Sequence, residues 1–146
     1  MTGRVERILV APSAGVLPAP IARARVVAGA GLEGDRYFLG TGTFSDWPDA
    51  SGRALTLVEA EVLEAIGLDA RAARRNLVTR GVRLNDLVGT TFWIGTVECR
   101  GARLAEPCGH LEQLTGIPIE ALVHRGGLRA DVLTDGELAV GDTVVV

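Results

Sequence analysis

A thiol follows a proline and precedes a helix-like stretch in Glu106-Pro107-Cys108-Gly109-His110. The thiolate, not the thiol, is the nucleophile and the soft-metal ligand. Its pKa falls at a helix start, where unpaired backbone N–H groups favour negative charge. A helix beginning near Gly109 to Leu111 would put Cys108 in that position. His110 would add positive charge when protonated, if it points the same way. The alternative is a half-buried structural cysteine. The other thiol, Cys99, lies in a strand-like run and reads as a small buried hydrophobe.

Two polar clusters lie upstream. Arg74-Arg75-Asn76 offers planar forks suited to phosphate or carboxylate, and an amide that can donate and accept along a heterocycle edge. Together they suit an anionic, nitrogen-rich ligand. The alternative is a solvated helix end whose arginines complement the dipole. The second cluster is Gly31-Leu32-Glu33-Gly34-Asp35-Arg36. Its glycines can turn N–H groups towards an anion. Equally, it can be a turn closed by an Asp35–Arg36 pair. It matches neither a P-loop nor a dinucleotide fingerprint. Cys108 and His110, even with Cys99 and His124, fit no usual zinc spacing. No Gly-x-Ser-x-Gly supports a serine nucleophile.

The elements that must position these groups are mostly short strands. Strands are expected over Val5–Val10, Ala22–Val27, Ala54–Val58, Leu77–Thr79, Thr90–Ile94, Val97–Leu104, Leu128–Leu133 and Thr143–Val146. Residues 59–66 carry Val62, Leu63 and Ile66 at helical spacing, with Gly67 as a stop. Asp69 could cap a second helical turn running to Arg74, and one more turn is expected over Leu84–Val88. Leu111–Leu114 and Pro118–His124 read as short helices. Gly29 to Gly52 reads as one long connection, of the kind that is functional when ordered, and is expected to cover Cys108 as a lid. Short strands outnumber helices and do not alternate regularly with them. The expected class is therefore mainly β with a few peripheral helices (α+β), a mainly antiparallel barrel-like sheet.

The bulk properties narrow the partners. The chain has 146 residues, of which 47% are hydrophobic, so one domain with a sizeable core is expected. A net charge of −3 argues against a general nucleic-acid binder. No apolar run is long enough to span a bilayer, and the charged, alternating N-terminus shows no secretory signal, so a cytoplasmic location is expected. All 15 basic residues are arginine. Without lysine, covalent pyridoxal phosphate is excluded in its usual form.

Several pieces then fall into a pattern. They are Gly34-Asp35-Arg36, Leu55-Thr56-Leu57-Val58-Glu59, Arg74 to Gly81, Leu84 to Gly89, Ile94-Gly95 and Pro107-Cys108. In this order and at these intervals the chain resembles the MOSC domain, the C-terminal module of molybdenum cofactor sulfurases. The resemblance runs from about Gly31 to the C-terminus. It is the ordered set that is specific. It implies a single MOSC domain over 1–146 with a mostly β, barrel-like fold. It implies that Cys108 is the family's functional cysteine, a metal ligand in molybdenum-binding members and a proposed persulfide carrier in the wider family. It implies contacts from Arg74 and Asn76 to the pyranopterin and its phosphate, with Arg75 beside them and Thr56 near the same site. The implied cofactor is the molybdenum cofactor, held permanently or in transit. The implied partners are a sulfur donor such as a cysteine desulfurase and a molybdenum enzyme as acceptor, and the implied activity is of sulfurtransferase type. Two alternatives stand beside it: a non-catalytic cofactor-delivery module, and a molybdenum-dependent reductase of N-hydroxylated compounds. Two departures weigh against a permanently held cofactor. Glu106 stands where cofactor-binding members offer Ser or Thr, and a carboxylate there disfavours a thiolate. The N-terminal β domain of the amidoxime-reducing enzymes has no counterpart here.

Overall fold

The computed structural model describes residues 2–42, 51–105 and 125–146. Its strands are β1 (Thr2–Val10), β2 (Ala19–Ile21), β3 (Arg23–Val27), β4 (Gly31–Leu32), β5 (Leu55–Glu59), β6 (Leu77–Arg80), β7 (Thr91–Ile94), β8 (Val97–Leu104), β9 (Leu128–Val132), β10 (Gly136–Ala139) and β11 (Thr143–Val145). The helices are α1 (Arg36–Leu39), α2 (Ala60–Ile66) and α3 (Ala70–Ala73), with a 3-10 turn at Leu84–Leu87. None of the helices among the described residues is long and apolar enough to cross a membrane.

Seven strands run in the order β11-β7-β8-β9-β5-β6-β1, and β1 closes the ring on β11 through Thr2↔Val145 and Gly3↔Val144. Closure removes the exposed sheet edges that invite aggregation. The end of β1 also pairs with β2, while β10, β3 and β4 form a small second sheet. The β5–β6 pair is parallel, and α2 and α3 form the crossover it requires.

Alternation decides what faces inward. Val97, Cys99 and Gly101 of β8 are buried, whereas Glu98 and Arg100 point away. The interior contains Leu55, Leu57, Leu77, Phe92, Ile94, Leu128 and Val144, all at 0% exposure. Burial of a side chain of this size is worth about 1.5–3 kcal/mol. A second cluster lies outside the barrel wall. There Leu9, Val58 and Val78 pack against Ala60, Leu63 and Ala73 of the crossover helices and Leu68 between them. Strands β5 and β6 are thus covered on both faces, as parallel strands usually are.

The sequence expectation holds for the barrel but misses several small elements. Residues 29–42 are not one unstructured connection, since β4 and α1 fall within them. Asp35 makes the four-residue α1 possible by accepting from the Tyr37 N–H. β10 was obscured because Gly136 and Gly141 read as bare turn signals, yet Gly136–Ala139 pairs with β3. Asp69 does cap α3 by position, but its side chain makes no capping hydrogen bond. Cys108, Glu106, His110, the two helices expected after them and the 43–50 part of the expected lid lie outside the described residues.

Candidate functional site

Strand register places one polar row on the outer face of the barrel. Arg103 of β8 stands opposite Arg129 of β9, and Arg129 stands opposite Thr56 of β5. Directly opposed residues share a face. Leu55, Leu57, Leu128 and Ala130 belong to the interior, so Thr56 and Arg129 point the other way. Beside Thr56 comes Asn76, at the entry to β6.

Thr56 and Asn76 are buried and bind each other. Asn76 Oδ1 accepts from the Thr56 N–H at 3.1 Å and from Thr56 Oγ1 at 3.2 Å. The Asn76 N–H donates to Thr56 Oγ1 at 3.0 Å. Asn76 Nδ2 donates to the Leu9 carbonyl at 3.3 Å. These bonds join β1, β5 and β6 at one point. The resemblance implies a ligand contact for Asn76 with Thr56 near it; in the fold the two also cross-link one another.

Arg74 closes α3 in the left-handed region, with φ 59°. Its guanidinium donates to the carbonyls of Ala14 at 2.6 Å and Val16 at 2.7 Å. Arg71 Nε donates to the Pro18 carbonyl at 2.8 Å. The loop between β1 and β2 is therefore fastened by two arginines of one short helix. On its other side the Ala11 N–H donates to Asp35 Oδ1 at 3.1 Å. That buried carboxylate also accepts from Arg36 Nη1 at 3.1 Å, and Arg36 Nη2 donates to the Arg74 carbonyl at 3.1 Å. Of the two readings of Gly31–Arg36, the turn with a paired Asp35 and Arg36 is observed.

Positive charge accumulates here. Arg36 lies over the Tyr37 ring, 5.0 Å from its centroid. The half-buried Arg129 is hydrogen-bonded to Tyr37. Burial lowers the Arg129 pKa most; Tyr37 works against this, while the neighbouring charges of Arg103 and Arg36 lower it further. Arg74 is lowered by burial and then by Arg36, with Tyr37 and Asp35 working the other way. Asp35 already pairs with Arg36 and offsets part of this charge; a further anion would favour the charged forms of Arg129 and Arg103. Spacing along the chain gave no hint of this grouping of arginines. Arg103 and Arg129 meet through strand register and belong to no local motif, while Arg36 comes from the Gly34-Asp35-Arg36 piece and joins them on α1.

Arg75 turns elsewhere. Its Nε donates to the Gly126 carbonyl at 2.9 Å and its Nη2 to the Ala105 carbonyl at 3.2 Å. These residues flank 106–125, which includes Cys108. The other thiol, Cys99, is buried inside the barrel, where burial pushes its pKa up to about 12, helped by Glu98 and Asp131. It is a packing residue, as its strand pattern suggested.

The same architecture occurs in solved structures. The YuaD protein from Bacillus subtilis superposes with a TM-score of 0.79 over 99% of this chain and 94% of its own, at 17% identity. YiiM from Geobacillus stearothermophilus gives 0.70 over 98% of this chain and 74% of its own, also at 17% identity. YiiM from Escherichia coli gives 0.66 over 97% and 68%, at 19% identity. At such identities the likeness carries the fold. No curated protein matches the chain. The MOSC domain model matches residues 50–145, which include Thr56, Arg74, Asn76, Arg103, Arg129 and Cys108. With the closed barrel and this sequence match together, the chain belongs to the MOSC domain family.

Proposed function

We propose that this MOSC protein carries sulfur on Cys108 and delivers it to a molybdenum–pyranopterin acceptor held against the arginine wall. The observation that best supports this is the clustering of Arg36, Arg74, Arg103 and Arg129 near Tyr37, in a chain whose net charge is −3. Such a local excess draws an anion that the molecule as a whole would repel.

The donors fit the phosphate-bearing end of a pyranopterin. Arg129 and Arg103 stand side by side on the outer face, where planar forks suit a phosphate, while the buried Arg36, held by Asp35 and the Arg74 carbonyl, adds positive charge behind them. When bound, the cofactor would supply a soft, redox-active metal centre able to take sulfur. The chain's own part is nucleophilic. The Cys108 thiolate attacks the outer sulfur of a donor persulfide, the donor's S–S bond breaks, and the donor thiolate leaves. The terminal S–H proton stays on the new persulfide. Arg74 and Arg71 meanwhile keep the β1–β2 loop in place. The Thr56–Asn76 cross-link holds the floor of the wall. A cysteine desulfurase is the proposed donor, a molybdenum enzyme the proposed recipient, and the cytoplasm the proposed setting.

A delivery role without sulfur chemistry is the second reading. It is favoured by the wall itself, whose side chains bind anions without any thiol. Sulfur loading separates the two. Incubation with a persulfide donor should add one sulfur atom to wild-type protein, seen by intact mass, and none to Cys108→Ser. Transfer to pyranopterin should then require Cys108. Equal transfer by Cys108→Ser would overturn the sulfur-carrier reading and leave the delivery module.

A further inference from the structure

Strand β1 breaks its own alternation. Val5 and Ile8 both face the barrel interior, although they lie an odd number of residues apart, while Leu9 faces the outer cluster. Strict alternation would put Val5 and Ile8 on opposite faces. The register gives the reason. Val5 opposes Thr79 and Arg7 opposes Val78, so Glu6 is an extra residue in a β-bulge. Val78 belongs to the outer cluster, and Arg7 opposite it shares that face. Without the bulge Arg7 would follow Val5 into the interior. The bulge brings it outside, next to Glu6.

Outside the bulge lies a groove of about 440 Å³ between the barrel wall and the crossover helices. Its floor is apolar, made by Val78 of β6, Leu63 of α2 and Leu68, all buried. Its rim carries Glu6, Arg7, Glu64 and Asp69. Glu6 and Glu64 both turn to Arg80. Arg7 and Asp69 remain. The Asp69 side chain makes no capping bond to α3. Among the described residues neither Arg7 nor Asp69 forms an ion pair, with the other or with any third side chain. One positive and one negative group thus face the same apolar floor without neutralising each other.

We propose that this groove binds an apolar α-amino acid, with its carboxylate on Arg7, its ammonium on Asp69 and its side chain over Leu63, Leu68 and Val78. The planar guanidinium matches a carboxylate, and the Asp69 carboxylate accepts from an ammonium. An α-amino acid carries both charges on one carbon and its apolar body on the same carbon, which answers all three features together. A ligand with a single charge leaves one rim group unanswered, so the site selects for the zwitterion. The volume lies within the roughly 300–1,000 Å³ of small-molecule sites, and the mainly apolar floor with a few polar groups fits their usual lining. The groove stands independently of any chemistry at Cys108, and none of these residues belongs to the arginine wall.

The test is a titration of the full-length protein with L-phenylalanine, followed by backbone amide chemical shifts. Phenethylamine, which lacks the carboxylate, and phenylpropanoate, which lacks the ammonium, are the comparison ligands. L-Phenylalanine at millimolar concentration should move the amides of Glu6, Arg7, Leu68 and Asp69 saturably. It should bind about fivefold more tightly than either comparison ligand, as expected for one ion pair at an exposed rim. Arg7→Gln should lower its affinity to that of phenethylamine, and Asp69→Asn to that of phenylpropanoate. Both side chains are exposed, so each variant should keep the fold. Equal affinity for the three ligands, or affinity for L-phenylalanine unmoved in both variants, would overturn the proposal. So would the absence of any saturable shift, or shifts gathered at Arg103 and Arg129 instead of the groove.

Discussion

Asn76 and Leu9 exchange two hydrogen bonds, the Leu9 N–H to the Asn76 carbonyl at 2.7 Å and Asn76 Nδ2 to the Leu9 carbonyl at 3.3 Å. Both residues are fully buried. With its Oδ1 on Thr56, Asn76 links β1 to β5 at the point where β6 begins. A buried polar group with all its partners in place rigidifies; one that has lost a partner is costly.

Asn76→Ala should therefore destabilise by at least about 2 kcal/mol, because the Thr56 N–H and the Leu9 carbonyl lose their partner. Thr56→Val should cost about 1–3 kcal/mol by leaving the Asn76 N–H without its acceptor. The double variant should cost less than the sum, since the two share one network. Chemical denaturation checks this, and strict additivity would show that the two residues act independently.

The left-handed Arg74 permits a cleaner comparison. Arg74→Gly and Arg74→Ala both lose the bonds to Ala14 and Val16. Only glycine is at ease at φ 59°. Arg74→Gly should thus be the more stable of the two by about 1 kcal/mol. Equal stability would mean that the turn at residue 74 relaxes once the guanidinium has gone.

The arginine wall predicts anion binding that depends on salt. Arg129→Gln should weaken pyrophosphate binding by about tenfold, as expected for one lost charge-assisted contact. Wild-type affinity should fall as ionic strength rises. Titration calorimetry at two salt concentrations measures both. Unchanged affinity in Arg129→Gln would remove that residue from the wall.

Two carboxylates make opposite contributions to pH dependence. Burial is the largest influence on Glu59 and raises its pKa; Glu61 raises it further, while a hydrogen bond from the Leu84 backbone works the other way. The folded chain then keeps a proton that the unfolded chain has released, so stability falls as pH rises above the ordinary carboxylate value. Glu59→Gln should be more stable than wild type near neutral pH and should lose that advantage below the ordinary value. Glu6 behaves the other way. The Arg80 hydrogen bond lowers its pKa, so its contribution is present above the ordinary value and is lost as pH falls through the lowered one. Glu6 is solvent-screened, so its effect should be small. Melting temperature against pH for Glu59→Gln is the decisive series. A constant offset from wild type at every pH would rule out titration of Glu59 as the cause.

Local signals served well where local physics decides. Val97–Leu104 was legible at its observed bounds because alternation is a property of the strand itself. Gly67 was legible as a helix stop, and it caps α2 in the left-handed region with its N–H on the Leu63 carbonyl. The four-residue α1 was hidden in a glycine-rich stretch. Its cap depends on Asp35, whose carboxylate is itself held by the Ala11 N–H from the end of β1 as well as by its neighbour Arg36.

The sequence by itself determined the barrel strands, the family pattern and the importance of the Arg74–Asn76 turn, because periodicity and motif order are written along the chain. What each of those side chains touches was decided only by tertiary structure. Asn76 meets Thr56 across a parallel pair, Arg75 crosses to the ends of β8 and β9, and Arg103 joins Arg129 through register. A side chain's type states what it can bind. Its partner depends on which distant strands are brought beside it, and register over that distance leaves no local trace in the sequence.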